Sequence, residues 1–168
     1  MTDALAHRGP DGEGVWVNEN KTVALGHRRL SILDLSEAAS QPFHFTSPFY
    51  KGNGENPRYT IIHNGEIYNY IELREELIKK GYSFRSSSDT EVITAAYDCY
   101  KEDCLHLFDG MFSFAIWDEQ EQQLFAARDR FGEKPFFYFA DEKQFLFASE
   151  LKALWAAGIS KEWNHTML

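Results

Sequence analysis

The chain has 168 residues, enough for one domain with a substantial core, and 43% of them are hydrophobic, including 14 Phe, 8 Tyr and 4 Trp. Its formal net charge of −9 argues against nucleic acid or an anionic membrane surface as a partner. No apolar stretch approaches the ~20 residues of a membrane-spanning helix, and the first residues lack the basic and then apolar layout of a signal peptide.

The first third of the chain predicts two strands followed by a loop. Residues 15–17 and 22–25 are apolar, contain β-branched side chains and are joined by a polar turn. Residues 36–54 contain two prolines and little periodicity, which predicts a loop whose most mobile part is 51–54.

The middle of the chain predicts a strand and two helices. Residues 59–63 have a strand pattern that breaks at Asn64-Gly65, and a helical pattern follows and ends at Gly81. Ser88, with Glu91 three positions later, forms a capping-box pattern that opens the second helix.

The last third predicts antiparallel strands and one helix. Residues 111–117 are apolar on both faces, so this strand is expected to be covered on both sides. Ser149 is predicted to cap a final helix that Gly158 closes. Stacked antiparallel sheets with helices outside fit this order, in a single domain over 1–168. Three more strands are predicted at 123–127, 135–140 and 144–148, and the final helix is predicted to bury Leu151, Leu154 and Trp155.

The two cysteines and six histidines limit the chemistry. Cys99 and Cys104 lie five positions apart on a predicted helix and its end, where they point to different sides, so we expect no disulfide. Both are expected to pack as small residues beside the aromatic core. A reducing compartment, and hence the cytoplasm, is the predicted location. The histidines show no zinc-ligand spacing, so no metal site is predicted.

Several polar residues could together recognise an amino acid that carries a side-chain amide. The Asn64 amide and the Gly65 N–H are two donors that can converge on one oxygen, as an oxyanion hole requires. The guanidinium groups of Arg28-Arg29 offer a planar fork to a carboxylate, and Glu66 and Asp89 could hold an ammonium. Each residue also has a plainer interpretation, since arginines near strands often form surface ion pairs and acids favour the first turn of a helix.

Six short motifs carry a family resemblance that covers nearly the whole chain. Together they resemble the glutaminase domain of glutamine-hydrolysing asparagine synthetase, a class II glutamine amidotransferase with the N-terminal-nucleophile hydrolase fold. Amidotransferases that make glucosamine phosphate or phosphoribosylamine share the fold, but the Arg-Leu-Ser-Ile-Leu-Asp form favours the asparagine synthetase branch. The motifs are Arg8-Gly9-Pro10-Asp11, Arg29-Leu30-Ser31-Ile32-Leu33-Asp34, Asn64-Gly65-Glu66-Ile67-Tyr68-Asn69, Ser88-Asp89-Thr90-Glu91-Val92, Gly110-Met111-Phe112-Ser113-Phe114 and Arg128-Asp129-Arg130-Phe131-Gly132-Glu133-Lys134-Pro135.

The resemblance implies an α+β fold, a four-layer αββα sandwich of two antiparallel sheets, and a set of glutamine-binding residues. It implies that Arg29 binds the glutamine α-carboxylate and that Ile32 also contributes to substrate binding. Asn64 and Gly65 would form the oxyanion hole. Glu66 and Asp89 would hold the substrate ammonium. This domain would need no cofactor, whereas ATP and Mg²⁺ would act in a C-terminal synthetase domain that receives the ammonia and amidates aspartate.

The chain departs from the family at the nucleophile, which in the family is a cysteine at the mature N-terminus whose own α-amine is the general base. Met1 resembles an internal methionine at the end of the family's first helix, so the first strand is expected to be missing. Cys99 and Cys104 are not terminal and cannot substitute. Thr2, exposed by methionine removal, is an alternative nucleophile, although it heads a helix-end segment rather than a strand.

Three interpretations follow from this pattern. In the first, the chain is a truncated glutaminase domain that keeps its pocket but is inactive by itself. In the second, the same scaffold delivers ammonia to another acceptor, and in the third it is a nucleophile-free glutamine-binding or structural module. Loss of the first strand is expected to expose a sheet edge or an apolar groove, and we expect self-association into a homo-oligomer from this edge.

Overall fold

The structure of the chain is a computed structural model that describes residues 1–30, 36–50 and 57–162. In order, its strands are β1 (Gly12–Val17), β2 (Ala24–Arg29), β3 (Phe43–Phe45), β4 (Tyr59–Ile67), β5 (Gly110–Asp118), β6 (Gln123–Arg128), β7 (Phe137–Ala140) and β8 (Phe145–Ala148). The α-helices are α1 (Tyr70–Lys79), α2 (Asp89–Tyr100) and α3 (Leu151–Ala156), and short 3₁₀ helices cover Asp3–Arg8, Glu37–Ala39 and Lys101–His106.

A four-stranded antiparallel sheet, ordered β3-β4-β5-β6, lies at the centre of the described residues. Helices α1 and α2 cover one face of it, because β4 and both helices each present an apolar stripe to the same layer. As predicted for 111–117, β5 is buried on both faces from Phe112 onward. The buried side chains of this core include Tyr59, Ile61, Ile67, Leu77, Val92, Ile93, Phe112, Phe114 and Ile116.

The other face of the sheet is covered by two antiparallel ribbons, β1-β2 and β7-β8. Helix α3 packs on the second ribbon with the N-terminal 3₁₀ helix, through Ala148, Ala153 and Leu154 against Leu5. The layers therefore run helix, sheet, ribbons, helix, which is the predicted αββα order. In the described residues the second sheet of this sandwich consists of two separate ribbons.

Strand β4 extends further than its sequence predicts, since it does not break at Asn64-Gly65. It pairs with β5 without interruption as far as Ile67, which lies opposite Gly110. Gly65 tolerates this because it adopts φ +147°, and a Cβ there would lie 2.1 Å from the Met111 carbonyl oxygen. At the Asn-Gly pair, β4 and β5 therefore approach each other closely, and the pair does not form a turn.

Other strand boundaries also differ from the sequence prediction, including that of β1, which begins at Gly12 rather than at residue 15. β2 begins two residues later than predicted and continues to Arg29, so this arginine lies at the end of a strand. The predicted loop over 36–54 contains β3 and a short 3₁₀ helix, and its predicted most mobile part, 51–54, lies outside the described residues.

The helix ends agree with the sequence in part. Gly81 has φ +99° and follows α1, as its predicted role at the helix end requires. Ser88 caps α2 by accepting from the Thr90 N–H at 3.1 Å, but Glu91 does not complete a capping box. The Glu91 carboxylate instead accepts hydrogen bonds from the preceding turn, at the N–H groups of Arg85 and Ser86.

The final helix differs from its prediction at both its start and its buried face. Glu150, not Ser149, is the N-cap residue of α3, and it makes no side-chain capping bond. Leu154 is buried as predicted, whereas Leu151 is 45% and Trp155 39% exposed. Within residues 1–30, 36–50 and 57–162, no helix combines the length and apolar character needed to cross a membrane.

Candidate active site

A cleft of about 380 Å³ opens between the four-stranded sheet and the two ribbons. Its walls come from β2, β4, β5 and β8, from the start of α2, and from the segment that leads into β7. It gathers five of the predicted site residues, namely Arg29, Asn64, Gly65, Glu66 and Asp89. The sixth, Ile32, lies outside the described residues.

Arg29 reaches the cleft from the last position of β2, where it pairs with Gly12 of β1. Its Nη2 donates to the Ser36 carbonyl oxygen at 3.0 Å, which ties the guanidinium to the following segment. The neighbouring Arg28 has a different environment, because it forms ion pairs with Asp3 and Glu13, each at 2.7 Å. Because successive side chains of a strand point to opposite faces, Arg28 and Arg29 have different surroundings although they are adjacent in the sequence.

Asn64 and Gly65 lie side by side on β4, opposite Ser113 and Phe112 of β5. The Asn64 Nδ2 is buried, and no described residue accepts a hydrogen bond from it. A buried amide donor without a protein partner is costly in a folded protein, and this one lies at the wall of the cleft.

The backbone N–H of Gly65 points away from β5. In an antiparallel pair, each residue directs its N–H and C=O together toward one neighbouring strand. The Phe112 carbonyl accepts from Asp129 N at 2.8 Å, on the β6 side, and is therefore not the acceptor for Gly65. On β4, the flanking N–H groups of His63 and Ile67 are taken by side chains rather than by β5. The Gly65 N–H therefore lies on the edge of β4 that faces away from β5, one residue from the Asn64 side-chain amide.

The two predicted acids reach the cleft from different elements. Glu66 follows Gly65 on β4, whereas Asp89 is the first residue of α2. The Asp89 Oδ2 accepts from the Ile67 N–H at 3.0 Å, and its Oδ1 lies 3.9 Å from His63 Nδ1. The Asp89 side chain is only 7% exposed, so this carboxylate is both a structural acceptor and a negative charge at the wall of the cleft.

Neither cysteine lies at the cleft. Cys104 is fully buried in the core beneath the helices, and Cys99 packs partly buried against that same core, as the sequence predicted. Burial, together with the charges of Glu102 and Asp103, raises the pKa of the Cys104 thiol to about 12. Thr2, in contrast, does line the cleft, and as predicted it precedes a helical segment rather than a strand.

Among the cleft residues that were not predicted as site residues, Gln41 and His27 each contact His63. Gln41 Oε1 accepts from the His63 N–H at 2.6 Å, and His27 Nε2 lies 3.1 Å from the His63 carbonyl oxygen. Desolvation lowers the pKa of both rings, that of His27 to about 4. Had β2 been extended to its true end, strand alternation would have placed His27 on the same face as Arg29.

Comparison with known proteins gives the family. The family of glutamine amidotransferase domains matches residues 1–168. The chain belongs to this family. It is 48% identical over 156 residues to "Asparagine synthetase [glutamine-hydrolyzing] 3" of Bacillus subtilis (strain 168), a match that covers 93% of this chain and 24% of that protein.

One further relative and one solved structure are also similar to the chain. "Amidase chry2" of Gibberella zeae is 40% identical over 161 residues, covering 96% of this chain and 22% of that protein. In fold, the glutamine phosphoribosylpyrophosphate amidotransferase of Bacillus subtilis, solved with ADP and GMP, superposes with a TM-score of 0.76 at 24% identity, over 94% of this chain and 39% of that chain.

These matches confirm the predicted family and fold class. The chain carries a glutamine amidotransferase domain like that of glutamine-hydrolysing asparagine synthetases, in the sandwich of N-terminal-nucleophile hydrolases. It spans about a quarter of the length of the curated relatives that it matches.

Proposed function

We propose that this domain binds L-glutamine in the cleft and serves as the glutaminase part of an asparagine synthetase. The observation that supports this most directly is the convergence of Arg29, Asn64, Gly65, Glu66 and Asp89 around one cleft. In the complete enzyme, the released ammonia would pass to a synthetase domain that uses ATP and Mg²⁺ to amidate aspartate.

The proposed binding mode matches each polar group of glutamine with an opposite partner. The Arg29 guanidinium takes the α-carboxylate through two parallel hydrogen bonds, which fixes the orientation of the ligand. Glu66 and Asp89 supply negative charge for the ammonium. Asn64 Nδ2 and Gly65 N–H then point at the side-chain amide oxygen, where negative charge develops when a nucleophile attacks the amide carbon.

We further propose that this chain by itself binds glutamine but hydrolyses it slowly. Both of its cysteines lie on the helix side of the sheet, away from the cleft. Without a cysteine nucleophile at the cleft, an oxyanion hole and substrate positioning provide only residual catalysis.

A second candidate function is amide transfer to an acceptor other than aspartate. The similarity to Amidase chry2 favours keeping it, because that protein matches the same domain over 96% of this chain. The glutamine site would be the same in both cases, and only the partner domain would differ. A nucleophile-free glutamine-binding or structural module is the third candidate, and binding measurements separate it from an empty scaffold.

Calorimetric titration of the 168-residue chain with L-glutamine tests the proposed site. We expect saturable binding, and we expect Arg29→Ala to raise the Kd roughly 10- to 100-fold, since a hydrogen-bonded charge contributes about 1.5–3 kcal/mol. Arg130→Ala is the matched control: Arg130 lies outside the cleft and donates to the Leu105 carbonyl oxygen from an exposed position.

Two outcomes would contradict the proposal. Absence of glutamine binding by a folded wild-type chain would leave only the structural interpretation, and equal affinity in Arg29→Ala would remove the carboxylate role of Arg29. An ammonia-release assay on the same samples tests the second part, for which we expect a rate far below that of a complete glutaminase.

A further inference from the structure

The backbone of β4 changes partners just before the oxyanion residues. Strand β3 pairs with β4 up to Phe43, which lies opposite Ile61. Two residues further along β4, at His63, the same edge has no β3 partner. There the Gln41 side chain accepts from the His63 N–H, and His27 contacts the His63 carbonyl oxygen. Two side chains thus take over the hydrogen bonds that a longer β3 would have made.

The contact at the carbonyl determines which nitrogen of His27 carries the proton. A backbone carbonyl oxygen can only accept, so Nε2, at 3.1 Å, must be the donor. In the neutral ring, Nδ1 is then an acceptor without a proton. This Nδ1 is buried, and no described residue donates to it.

The surroundings of His27 keep the ring neutral. Burial is the largest cause of its lowered pKa, and the positive charges of His63, when protonated, and Arg29 act in the same direction. The hydrogen bond to the His63 carbonyl acts in the opposite direction but does not restore the ordinary value. At neutral pH the ring is therefore a single-donor bridge between β2 and β4.

We propose that His27 is a positioning residue of the glutamine site, which holds the His63–Asn64 peptide and thereby aims the Asn64 amide and the Gly65 N–H at the substrate. This inference rests on the proposed function. The bonded carbonyl and the Asn64 N–H belong to one peptide plane, so a tilt of that plane changes the backbone dihedral angles at Asn64, from whose Cα the side-chain amide projects. Because His27 and Arg29 are two residues apart on β2, one strand sets both the carboxylate fork and the direction of the oxyanion donors.

An apolar residue of similar size would avoid the unpaired Nδ1 acceptor, but it would also release the carbonyl. Among the described residues, the β4 edge beyond Ile61 would then be held by Gln41 at His63 and by Asp89 at Ile67. The carbonyl released lies in the peptide between the two bonds that remain. We therefore expect the loss of His27 to act on Asn64 and Gly65 before it acts on any other part of the cleft.

The experiment is ¹⁵N NMR of the full 168-residue chain and two variants. His27→Gln can place an amide donor where Nε2–H was, whereas His27→Leu has similar bulk and no donor. In the wild-type protein we expect the Nε2-protonated tautomer of His27. We expect His27→Leu to shift the backbone resonances of Asn64 and Gly65, and to weaken the response of the Asn64 side-chain amide to added L-glutamine, and we expect His27→Gln to restore both.

Affinity provides the third readout, with an expected three- to tenfold rise in Kd for His27→Leu and less than threefold for His27→Gln. The Nδ1-protonated tautomer, or a folded Leu variant with wild-type Asn64 and Gly65 resonances, would overturn the inference. If the wild-type chain binds no glutamine, the proposed function fails, yet the tautomer and the ligand-free resonances still decide the role of His27. If His27→Leu does not fold, the wild-type tautomer and the Gln variant decide it.

Discussion

On the helix side of the four-stranded sheet, the Asp98 side chain is 6% exposed and accepts hydrogen bonds from Ser47, Tyr59 and Tyr82 at 2.5–2.9 Å. On the cleft side, Asn64 Nδ2 and His27 Nδ1 are also buried, but no described residue pairs with them. The two sides therefore treat buried polar groups in opposite ways. Paired groups contribute to stability, whereas buried donors and acceptors without a protein partner cost stability.

This difference separates the side of the sheet on which buried polar groups are paired from the side on which we propose that glutamine binds. The helix side adds a second buried carboxylate, Asp118, which pairs with Arg58 at 3.1 Å, and Lys101 lies 3.8 Å away. The charges and hydroxyls of this network already pair with one another. Changes on the two sides should thus separate into effects on unfolding and effects on glutamine affinity.

The largest effect on stability should follow from breaking the Asp98 network. Asp98→Ala removes the acceptor for three buried hydroxyl groups, so we expect a loss of about 3–5 kcal/mol in the free energy of unfolding. Urea denaturation followed by circular dichroism measures it. The fraction that remains folded should bind glutamine within about twofold of wild type, because the cleft lies on the other side of the sheet.

Glu121→Ala is the control for this change. Glu121 lies 4.0 Å from the same Arg58 but is 56% exposed, so its removal should cost less than about 0.5 kcal/mol. If Asp98→Ala also cost less than about 1 kcal/mol, or if it abolished glutamine binding in folded protein, the separation of the two sides would be wrong.

The sequence predicted the helix side better than the cleft side, for a physical reason. Apolar periodicity marks residues that pack, and it located α1, α2 and the doubly buried β5. The three-residue strand β3 is too short for a period and follows Pro42, so it was missed inside a predicted loop. The Asn-Gly pair was predicted as a break, because sequence alone does not show that β5 approaches too closely for a side chain.

Within the site, the sequence predicted the residues that have charged side chains or an unusual backbone conformation. It missed the residues whose hydrogen bonds hold the backbone of β4 in place. Arg29, Asn64, Gly65, Glu66 and Asp89 do converge on one cleft. His27, His63 and Gln41 act through contacts between elements far apart in the chain, such as the bond from His27 to β4. Strand alternation could have placed His27 beside Arg29, but its bond to β4 and the contact between Gln41 and His63 appear only in the packed structure.

An intermediate effect should follow from acid, through the cleft histidines. The pKa of His27 falls from 6.5 in the unfolded chain to about 4 in the folded one. Between pH 6.5 and about pH 4, the unfolded state therefore binds a proton at His27 that the folded state does not bind. Stability is lost as the pH falls through this window. A shift of this size corresponds to about 3 kcal/mol in the free energy of unfolding.

Urea denaturation at intervals from pH 7.5 to about pH 4.5 measures this dependence. The His27→Gln variant should lose less stability over the same interval than the wild-type chain, and His106→Gln, which removes an exposed imidazole, is its matched control. The pKa values of His63 and His44 are also lowered by burial, so part of the slope should remain. Identical slopes in His27→Gln and wild type would show that His27 is not a buried neutral ring.

The smallest effect should follow from replacing the two cysteines, which lie on the helix side of the sheet. Since burial and nearby acids raise the pKa of Cys104 to about 12, its thiolate is scarce at neutral pH, and Cys104 does not line the cleft. The double variant Cys99→Ala/Cys104→Ala should bind glutamine within about twofold of wild type and lose about 1–2 kcal/mol of stability from reduced packing. Any residual ammonia release should persist in it. If that release instead disappeared while glutamine affinity held, a thiol of the helix side would have to reach the substrate, and the two sides of the sheet could no longer be treated as separate.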